Sequence, residues 1–301
     1  MRPITLLDGG TGRELMRLGA PFRQPEWSAL ALLEAPAFVT RVHRAFIDAG
    51  ADVITTNSYA VVPFHIGAER FQNQGMTLAR LAGRLAREAA PAGRKVLVAG
   101  SLPPACGSYR AEWFDPEVAR PILQTLVEGM RAYVDHWQAE TLSCIAEAEL
   151  VRELVGHDER PLWLSFTIRD DASAAVAEPV LRSGQRVLDA VAAAAHLGAQ
   201  AVLFNCSQPE VMGPAVSIAV EYLGRQTAAA TGRVGVYANA FPASGQGAQA
   251  NEQLDAIRAD LTPAGYLAWV HEWIGRGAQI VGGCCGIGPE HIRLIRASIT
   301  A

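Results

Sequence analysis

Three cysteines stand at the ends of two apolar runs, where their thiols have the chemistry to bind a metal ion. Cys284 and Cys285 follow the run at residues 279–281 and are flanked by glycines, and Cys206 ends the run that begins at Ala201. Thiolates bind Zn²⁺ tetrahedrally, and a catalytic zinc site keeps one position open. Adjacent side chains of a regular strand point to opposite faces, but glycine permits the backbone angles that would turn both toward one ion. The sequence therefore predicts an open zinc site.

Plainer interpretations of the same residues remain open. Cys206 taken alone is typical of a buried core thiol, and the adjacent pair would also fit a vicinal disulfide or two unrelated core thiols. Their shared position at predicted strand ends favours the metal site. Cys106 and Cys144 are not predicted at strand ends, so we expect them to be ordinary small residues. Five histidines lie within predicted helices, where packing is the simpler explanation: His43, His136, His196, His271 and His291.

Strand and helix patterns alternate eight times along the chain. Strands are predicted at residues 4–7, 52–59, 95–102, 139–142, 161–168, 201–205, 234–239 and 279–282. Helices are predicted at residues 36–49, 76–89, 115–137, 143–155, 183–197, 210–230, 262–274 and 290–299. Such alternation predicts a parallel sheet, and eight units predict an α/β fold of the (β/α)8 TIM barrel type, with residues 1–301 as one domain. A doubly wound open sheet is the alternative, but neither glycine-rich stretch has the G-x-G-x-x-G spacing.

The predicted barrel explains why the three cysteines would meet. Active sites of such barrels lie at the carboxyl ends of the strands, and alternate strands contribute side chains to the same interior layer. Cys206 follows the sixth strand, and Cys284 and Cys285 follow the eighth. Asp8 follows the first strand within Asp8-Gly-Gly-Thr-Gly12, where it would either contact a ligand or cap the segment that begins at Arg13.

Composition excludes several classes of partner. The 301 residues carry a formal net charge of −4, which gives no basic excess for nucleic acid or an anionic membrane. No apolar run approaches the ~20 residues of a membrane helix, and the N-terminal segment becomes polar too soon for a secretory signal. Five cysteines are an odd number in a long chain, which argues against a disulfide framework. We therefore expect a cytoplasmic protein, a monomer or small homo-oligomer, acting on small molecules.

Six motifs, in order, resemble the homocysteine S-methyltransferase family of zinc-dependent thiol methyltransferases. They are Asp8-Gly-Gly-Thr-Gly-Arg-Glu-Leu15, Ile54-Thr-Thr-Asn-Ser-Tyr59, Ala99-Gly-Ser101, Glu140-Thr141, Phe204-Asn-Cys-Ser207 and Gly282-Gly-Cys-Cys-Gly286. The resemblance implies a (β/α)8 barrel in which Cys206, Cys284 and Cys285 hold a catalytic Zn²⁺. It also implies that Asp8 and Glu140 bind the amino group of homocysteine. Further substrate contacts are expected from Gly9, Thr11 and Asn57.

The same resemblance implies the reaction. A free alkyl thiol has a pKa near 8.5, and coordination to Zn²⁺ would make it a thiolate at neutral pH. A small sulfonium donor, S-methylmethionine or S-adenosylmethionine, would then methylate homocysteine and give methionine. Tyr237-Ala-Asn239 and Ser101-Leu-Pro-Pro104 depart from forms common in the family. Both lie on the expected donor side, so we expect donor contacts from the loops at residues 103–113 and 241–250.

Two other functions stay open at this point. One is zinc-dependent methyl transfer to or from another thiol or a corrinoid protein. The other is a protein without catalytic activity, in which the adjacent thiols serve redox chemistry or zinc storage.

Overall fold

Eight parallel strands alternate with helices in the computed structural model, which describes residues 3–91, 93, 95–156, 158–171, 178–226, 232–242 and 256–300. The strands are β1 Thr5–Leu6, β2 Val53–Thr55, β3 Leu97–Leu102, β4 His136–Leu142, β5 Leu162–Phe166, β6 Ala201–Asn205, β7 Arg233–Tyr237 and β8 Ile280–Val281. The helices are α1 Thr11–Arg17, α2 Ala29–Glu34, α3 Pro36–Ala49, α4 Pro63–Ile66, α5 Ala68–Ala89, α6 Pro116–Met130, α7 Ile145–Val155, α8 Val187–His196, α9 Pro209–Gly224, α10 Pro263–Gly275 and α11 Pro289–Ile299.

The strands close into a barrel, as predicted. Their order is β1-β8-β7-β6-β5-β4-β3-β2, and every pairing is parallel. A parallel bridge between Leu7 and Val53 joins the two ends of this order. The helices surround the sheet, so the (β/α)8 TIM barrel is confirmed.

The side chains inside the barrel are apolar in the lower layer and polar in the layer nearer the carboxyl ends of the strands. Alternate strand positions supply a buried apolar cluster: Leu7, Val53, Ala99, Trp163, Ala201, Leu203, Tyr237 and Ile280. Nearer the carboxyl ends of the strands, the buried side chains are Ser101, Gln138, Glu140, Ser165 and Asn205. Burial of polar groups costs free energy unless they are hydrogen-bonded. The polar layer therefore indicates that the functional site lies at the carboxyl ends of the strands.

The opposite end of the barrel carries a repeated hydrogen bond. Before β2, β4 and β6, the residue that precedes the strand accepts, through its side chain, a backbone N–H of the preceding odd-numbered strand. The pairs are Asp52 with Leu6 at 2.9 Å, Asp135 with Val98 at 2.7 Å and Gln200 with Leu162 at 2.6 Å. In each pair the backbone N–H of the accepting residue also donates to the carbonyl of its partner. Each of these contacts fixes the register of one odd-numbered strand relative to the even-numbered strand that follows it.

The predicted helix at residues 115–137 is wrong in its last seven residues. Its start is confirmed, since Asp115 accepts the backbone N–H of Glu117 at 2.9 Å. The helix α6, however, ends at Met130, and β4 begins at His136. Residues 133–137 include tyrosine, valine and tryptophan, which favour strands, and pairing with β3 decides the conformation. His136 therefore lies on a strand, not in a helix.

Other predicted boundaries also differ. Helix α5 begins at Ala68 rather than at residue 76, and α9 ends at Gly224, with residues 227–231 outside the described part. The short helices α1, α2 and α4 carry no clear periodicity and were not predicted. Within the described residues, no helix combines the length and apolar character that a membrane crossing requires.

Candidate active site

Three sulfur atoms converge above the polar layer of the barrel. Cys206 follows β6 directly, and Cys284 and Cys285 lie in the loop between β8 and α11. Their Sγ atoms all lie within 4.8 Å of one another, and those of Cys206 and Cys284 are 2.7 Å apart. In the described part of the chain, no other group of three histidine, cysteine or acidic side chains is arranged to hold a metal ion.

Glycines allow the cysteine loop to pack against the loop that follows β1. The Gly10 N–H donates to the Ile287 carbonyl at 2.9 Å, and the Gly283 N–H donates to the Asp8 carbonyl at 3.0 Å. A Cβ atom on Gly10 would lie 2.6 Å from the Cys284 carbonyl oxygen. The backbone conformation of the two cysteines therefore depends on the absence of side chains at these glycines.

The sulfur cluster fits a thiophilic metal ion. Its donor set is three sulfurs, as in catalytic and structural zinc sites, and sulfurs of a tetrahedral zinc site lie about 3.8 Å apart for bonds of about 2.3 Å. The Cys206 and Cys284 sulfurs are closer than this, so they would have to separate by about 1 Å. The site leaves room for a fourth ligand from a substrate, because Cys284 and Cys285 are only partly buried.

The thiols also differ in acidity. Hydrogen bonds from the Cys206 and Cys284 thiols lower the pKa of the Cys285 thiol well below its usual value, and the charge of Arg13 acts in the same direction. The same hydrogen bonding raises the pKa of Cys284. Binding of a metal ion requires the thiols to lose their protons.

Asp8 lies at the mouth of the barrel and does not cap α1. Its carboxylate accepts the Thr55 N–H at 2.7 Å and the Thr55 hydroxyl at 3.1 Å. Burial raises the pKa of Asp8 to about 7, against these hydrogen bonds, and the charge of Glu140 adds to the increase. A cation bound beside the two carboxyls would relieve both effects.

Glu140 is the second buried carboxyl of the site. It accepts the Ser101 hydroxyl at 2.5 Å and the Tyr237 hydroxyl at 3.2 Å, and Gln138 in turn donates to the Tyr237 oxygen at 3.2 Å. Burial raises the pKa of Glu140 to about 7, and the Cys206 thiol contributes in the same direction. The carboxyl is thus rigidly held, and its charge is uncompensated.

A bulge in β4 connects Glu140 to the end of β6, which carries Cys206. Pairing of β4 with β5 shifts register between Ala139 and Leu142, and Thr141 has a positive φ of 63°. The Thr141 N–H and hydroxyl bond to the Asn205 side-chain amide, both at 2.9 Å. Glu140 and Cys206 each adjoin one member of this pair, so their relative position is fixed.

The remaining predicted substrate residues have different surroundings. Gly9 has no space for a side chain, because a Cβ atom there would lie 2.2 Å from the Ile287 carbonyl oxygen. Thr11 is the first residue of α1 and is partly exposed. The buried Asn57 donates its amide to the Ser28 carbonyl at 3.0 Å, which ties the loop before α2 to the end of β2. Their part in substrate binding stays a prediction.

Several residues of the site were not expected from sequence. Gln138 shares the interior face of β4 with Glu140, a spacing of two that the incorrectly predicted helix concealed. Tyr237 was noted only as part of an unusual motif. Tyr109 lies in the loop at residues 103–113, which was expected near the donor, and its ring is one of the aromatic groups that could contact a sulfonium. Its hydroxyl donates to the Cys206 carbonyl at 2.8 Å, a contact that the sequence does not indicate.

Cys106 and Cys144 lie apart from the sulfur cluster. Cys106 contacts the Asp115 carbonyl, and Cys144 is the N-cap residue of α7. Of the two loops expected to contact a donor, residues 103–113 are described and reach Cys206 through Tyr109. In the second loop, residues 243–250 lie outside the described part.

Known proteins share both the sequence pattern and the architecture. A sequence model of the family described as "Homocysteine S-methyltransferase" matches residues 5–299. Homocysteine S-methyltransferase 4 of Zea mays is 28% identical, over 98% of this chain and 89% of its own length. Homocysteine S-methyltransferase YbgG of Bacillus subtilis (strain 168) is 27% identical, over 98% of this chain and 94% of its own length. The crystal structure of the homocysteine methyltransferase MmuM from Escherichia coli, in its metallated form, matches with a TM-score of 0.77 and 28% identity, over 99% of this chain and 96% of that one.

Proposed function

The chain belongs to the homocysteine S-methyltransferase family, and on that premise we propose that it methylates the thiol of L-homocysteine from a small sulfonium donor, giving methionine. The family match confirms the resemblance seen in the motifs and shows that the protein is a methyltransferase. Among sulfonium donors we favour S-methylmethionine over S-adenosylmethionine. The observation that carries the proposal is the convergence of three sulfurs beside two buried carboxyls.

Cys206, Cys284 and Cys285 would hold a zinc ion. Zinc bound by three thiolates would favour the ionised, nucleophilic form of a substrate thiol. The support from this chain is its all-sulfur donor set and the partial exposure of the two adjacent cysteines.

Asp8 and Glu140 would bind the ammonium group of homocysteine. An ammonium ion donates up to three hydrogen bonds, and both carboxyls have raised pKa values because burial leaves their charges uncompensated. Placing a cation beside them restores the ionised forms and orients the amino acid. Its thiol then points along a fixed line toward the methyl donor, which lowers the entropic part of the barrier.

A sulfonium donor suits the rest of the site. Its methyl group departs from a positively charged sulfur, so the leaving group is a neutral thioether and needs no general acid. The loop at residues 103–113 would cover the donor, since it already contacts the Cys206 carbonyl through Tyr109.

Metal analysis and a donor screen test the proposal. We expect about one zinc per chain by elemental analysis, a sharp loss in Cys285→Ser because a hydroxyl is a poor zinc ligand, and full retention in the control Cys106→Ser. Purified enzyme should form methionine from homocysteine with S-methylmethionine faster than with S-adenosylmethionine or betaine. Zinc retained in Cys285→Ser would remove that residue from the ligands, and methionine formed only from betaine would exclude the sulfonium donor.

A further inference from the structure

Cys206 adopts a backbone conformation that its neighbours must stabilise. Its φ is +54°, in the left-handed region. Residues with a Cβ atom are unfavourable there and persist only where surrounding contacts determine the conformation. Because the Cα–Cβ direction follows from the backbone, these contacts also limit the positions that the Cys206 sulfur can occupy relative to the other two.

Two hydroxyl groups hold the peptide that follows Cys206. Tyr109 donates to the Cys206 carbonyl oxygen at 2.8 Å, and Thr167 approaches the same oxygen at 3.4 Å. On the other side of the peptide, the Ser207 hydroxyl donates to the Ile168 carbonyl and accepts the Ile168 N–H. The bond from Tyr109 is the shorter of the two to the carbonyl, and it comes from a different loop.

Tyr109 is itself fixed by a buried ion pair. The Arg182 guanidinium lies over the Tyr109 ring, 4.4 Å from its centroid. Arg182 forms a 2.7 Å ion pair with Asp170, and the two side chains are 8% and 0% exposed. Asp170 also accepts the backbone N–H of Gln208 at 3.0 Å, so the ion pair bonds to the same segment that carries Cys206.

These contacts form a continuous support around one predicted metal ligand. It runs from Asp170 through Arg182 and Tyr109 to Cys206, and returns to the backbone at Gln208. Tyr109 is the only one of these side chains that links the loop after β3 to the sulfur cluster within the described residues. Groups that orient a metal ligand commonly change metal affinity by 10–100-fold when removed.

We propose that Tyr109 is a positioning residue that holds Cys206 in its left-handed conformation and thereby sets the geometry of the metal site. This inference rests on one part of the proposed function, namely that the three cysteines bind a metal ion. Deleting the hydroxyl leaves the ring, and hence its contact with Arg182, in place. The Cys206 peptide then loses its shorter hydrogen bond, and the sulfur samples positions unsuited to a shared ion.

Metal binding by Tyr109→Phe tests this role without any substrate. Zinc affinity is measured by competition with a chromophoric chelator, and we expect a loss of about tenfold. Cobalt replaces zinc as a spectroscopic probe, and its thiolate-to-cobalt charge-transfer band should weaken in the variant. Ser108→Ala is the matched control, because Ser108 is buried in the same loop and its hydroxyl bonds to Tyr59 at 2.6 Å instead of to Cys206.

The outcomes separate this inference from the proposed function. Weaker zinc binding in Tyr109→Phe with wild-type binding in Ser108→Ala supports the positioning role, provided that both metal-free proteins keep the wild-type circular dichroism spectrum. Equal affinities and equal cobalt bands in wild type and Tyr109→Phe would overturn the positioning role alone. An equal loss in Ser108→Ala would also overturn it, because the effect would then belong to the loop as a whole. Wild-type protein that binds neither metal would overturn the zinc site as well.

Discussion

Replacement of Asp8 should separate the proposed binding of homocysteine from the proposed binding of zinc. Charge-assisted hydrogen bonds contribute about 1.5–3 kcal/mol, so we expect Asp8→Asn to raise the homocysteine KM by about tenfold or more. Zinc content should stay at the wild-type level, because Asp8 bonds to Thr55 and not to a cysteine side chain. Steady-state kinetics and elemental analysis on the same preparation check both statements.

The analogue 4-mercaptobutanoate, which lacks the amino group, provides the control for this variant. Wild type and Asp8→Asn should use it equally poorly. If Asp8→Asn raised the KM for the donor and left that for homocysteine unchanged, the assignment of Asp8 to the amino group would be wrong.

The two carboxyls also predict a pH dependence. Burial raises the pKa of Asp8 and of Glu140 to about 7, so the free enzyme gains both negative charges only as the pH rises through that value. An ammonium group is attracted by the ionised carboxyls alone. The homocysteine KM should therefore increase by about tenfold or more between pH 7.5 and pH 6.

Ionisation of the substrate thiol also changes the homocysteine KM with pH, and its contribution must be subtracted. The pH profile for 4-mercaptobutanoate contains the thiol contribution without the ammonium contribution. A homocysteine profile of the same shape as that of the analogue would show that the carboxyls do not bind the amino group.

Gly10 connects the loop after β1 to the cysteine loop after β8. A Cβ at this position would meet the Cys284 carbonyl oxygen at 2.6 Å and the Cys285 Cα at 3.0 Å, and backbone atoms cannot move aside cheaply. We expect Gly10→Ala to lower the free energy of unfolding by about 1–3 kcal/mol, as overpacking does, and to reduce zinc retention. Urea denaturation and metal analysis measure the two effects.

Gly275→Ala is the matched control for this substitution. Gly275 ends α10, and a Cβ there meets no atom within 4 Å. Alanine should be neutral or stabilise the helix by up to about 1 kcal/mol. Wild-type stability and zinc content in Gly10→Ala would show that the two loops do not constrain each other.

Sequence predicted the elements better than the contacts between them. The cysteines at strand ends were recognisable because apolar runs, glycines and Pro289 mark the strand and the helix on each side of Cys284 and Cys285. The strand at residues 139–142 was predicted with Glu140 in it, but residues 136–138 were not, since Val134 continues the i, i+4 stripe of α6 and so extended the predicted helix over His136. The loop that carries Tyr109 was expected near the donor, but the hydrogen bond from Tyr109 to the Cys206 carbonyl was not predicted, because it depends on the course of a loop that no periodicity describes.

The stability of the whole molecule contains a penalty at His43. This residue of α3 is fully buried, and neither ring nitrogen has a hydrogen-bond partner among the described residues. Burial lowers the pKa of His43 to about 4. In the unfolded chain this histidine becomes protonated as the pH falls below about 6.5, whereas in the folded protein it stays neutral until about pH 4. The free energy of unfolding therefore decreases as the pH falls through this range.

Replacement by an apolar residue of similar size should remove this penalty. We expect His43→Leu to be more stable than wild type by about 1–3 kcal/mol at pH 7, because two unsatisfied polar atoms are removed. The variant should also lose about 2 kcal/mol less than wild type between pH 7 and pH 5. Urea denaturation at both pH values measures the difference.

His196→Leu is the control, since His196 lies on the exposed surface of α8. It should lose as much stability as wild type on acidification. If His43→Leu followed the wild-type curve as well, His43 would not be the source of the acid sensitivity.

The hydrogen bonds at the amino-terminal end of the barrel determine how the chain can be divided. Each of the three joins an odd-numbered strand to the next even-numbered one: Leu6 to Asp52, Val98 to Asp135 and Leu162 to Gln200. A break in the chain after β2, β4 or β6 leaves all three bonds within single fragments, whereas a break after β1, β3 or β5 separates the partners of one. Two-strand pieces are accordingly the smallest modules that can be duplicated, exchanged or recombined with these bonds intact. The proposed active site, whose residues follow or lie in β1, β4, β6 and β8, would nevertheless need contributions from several of these modules at once.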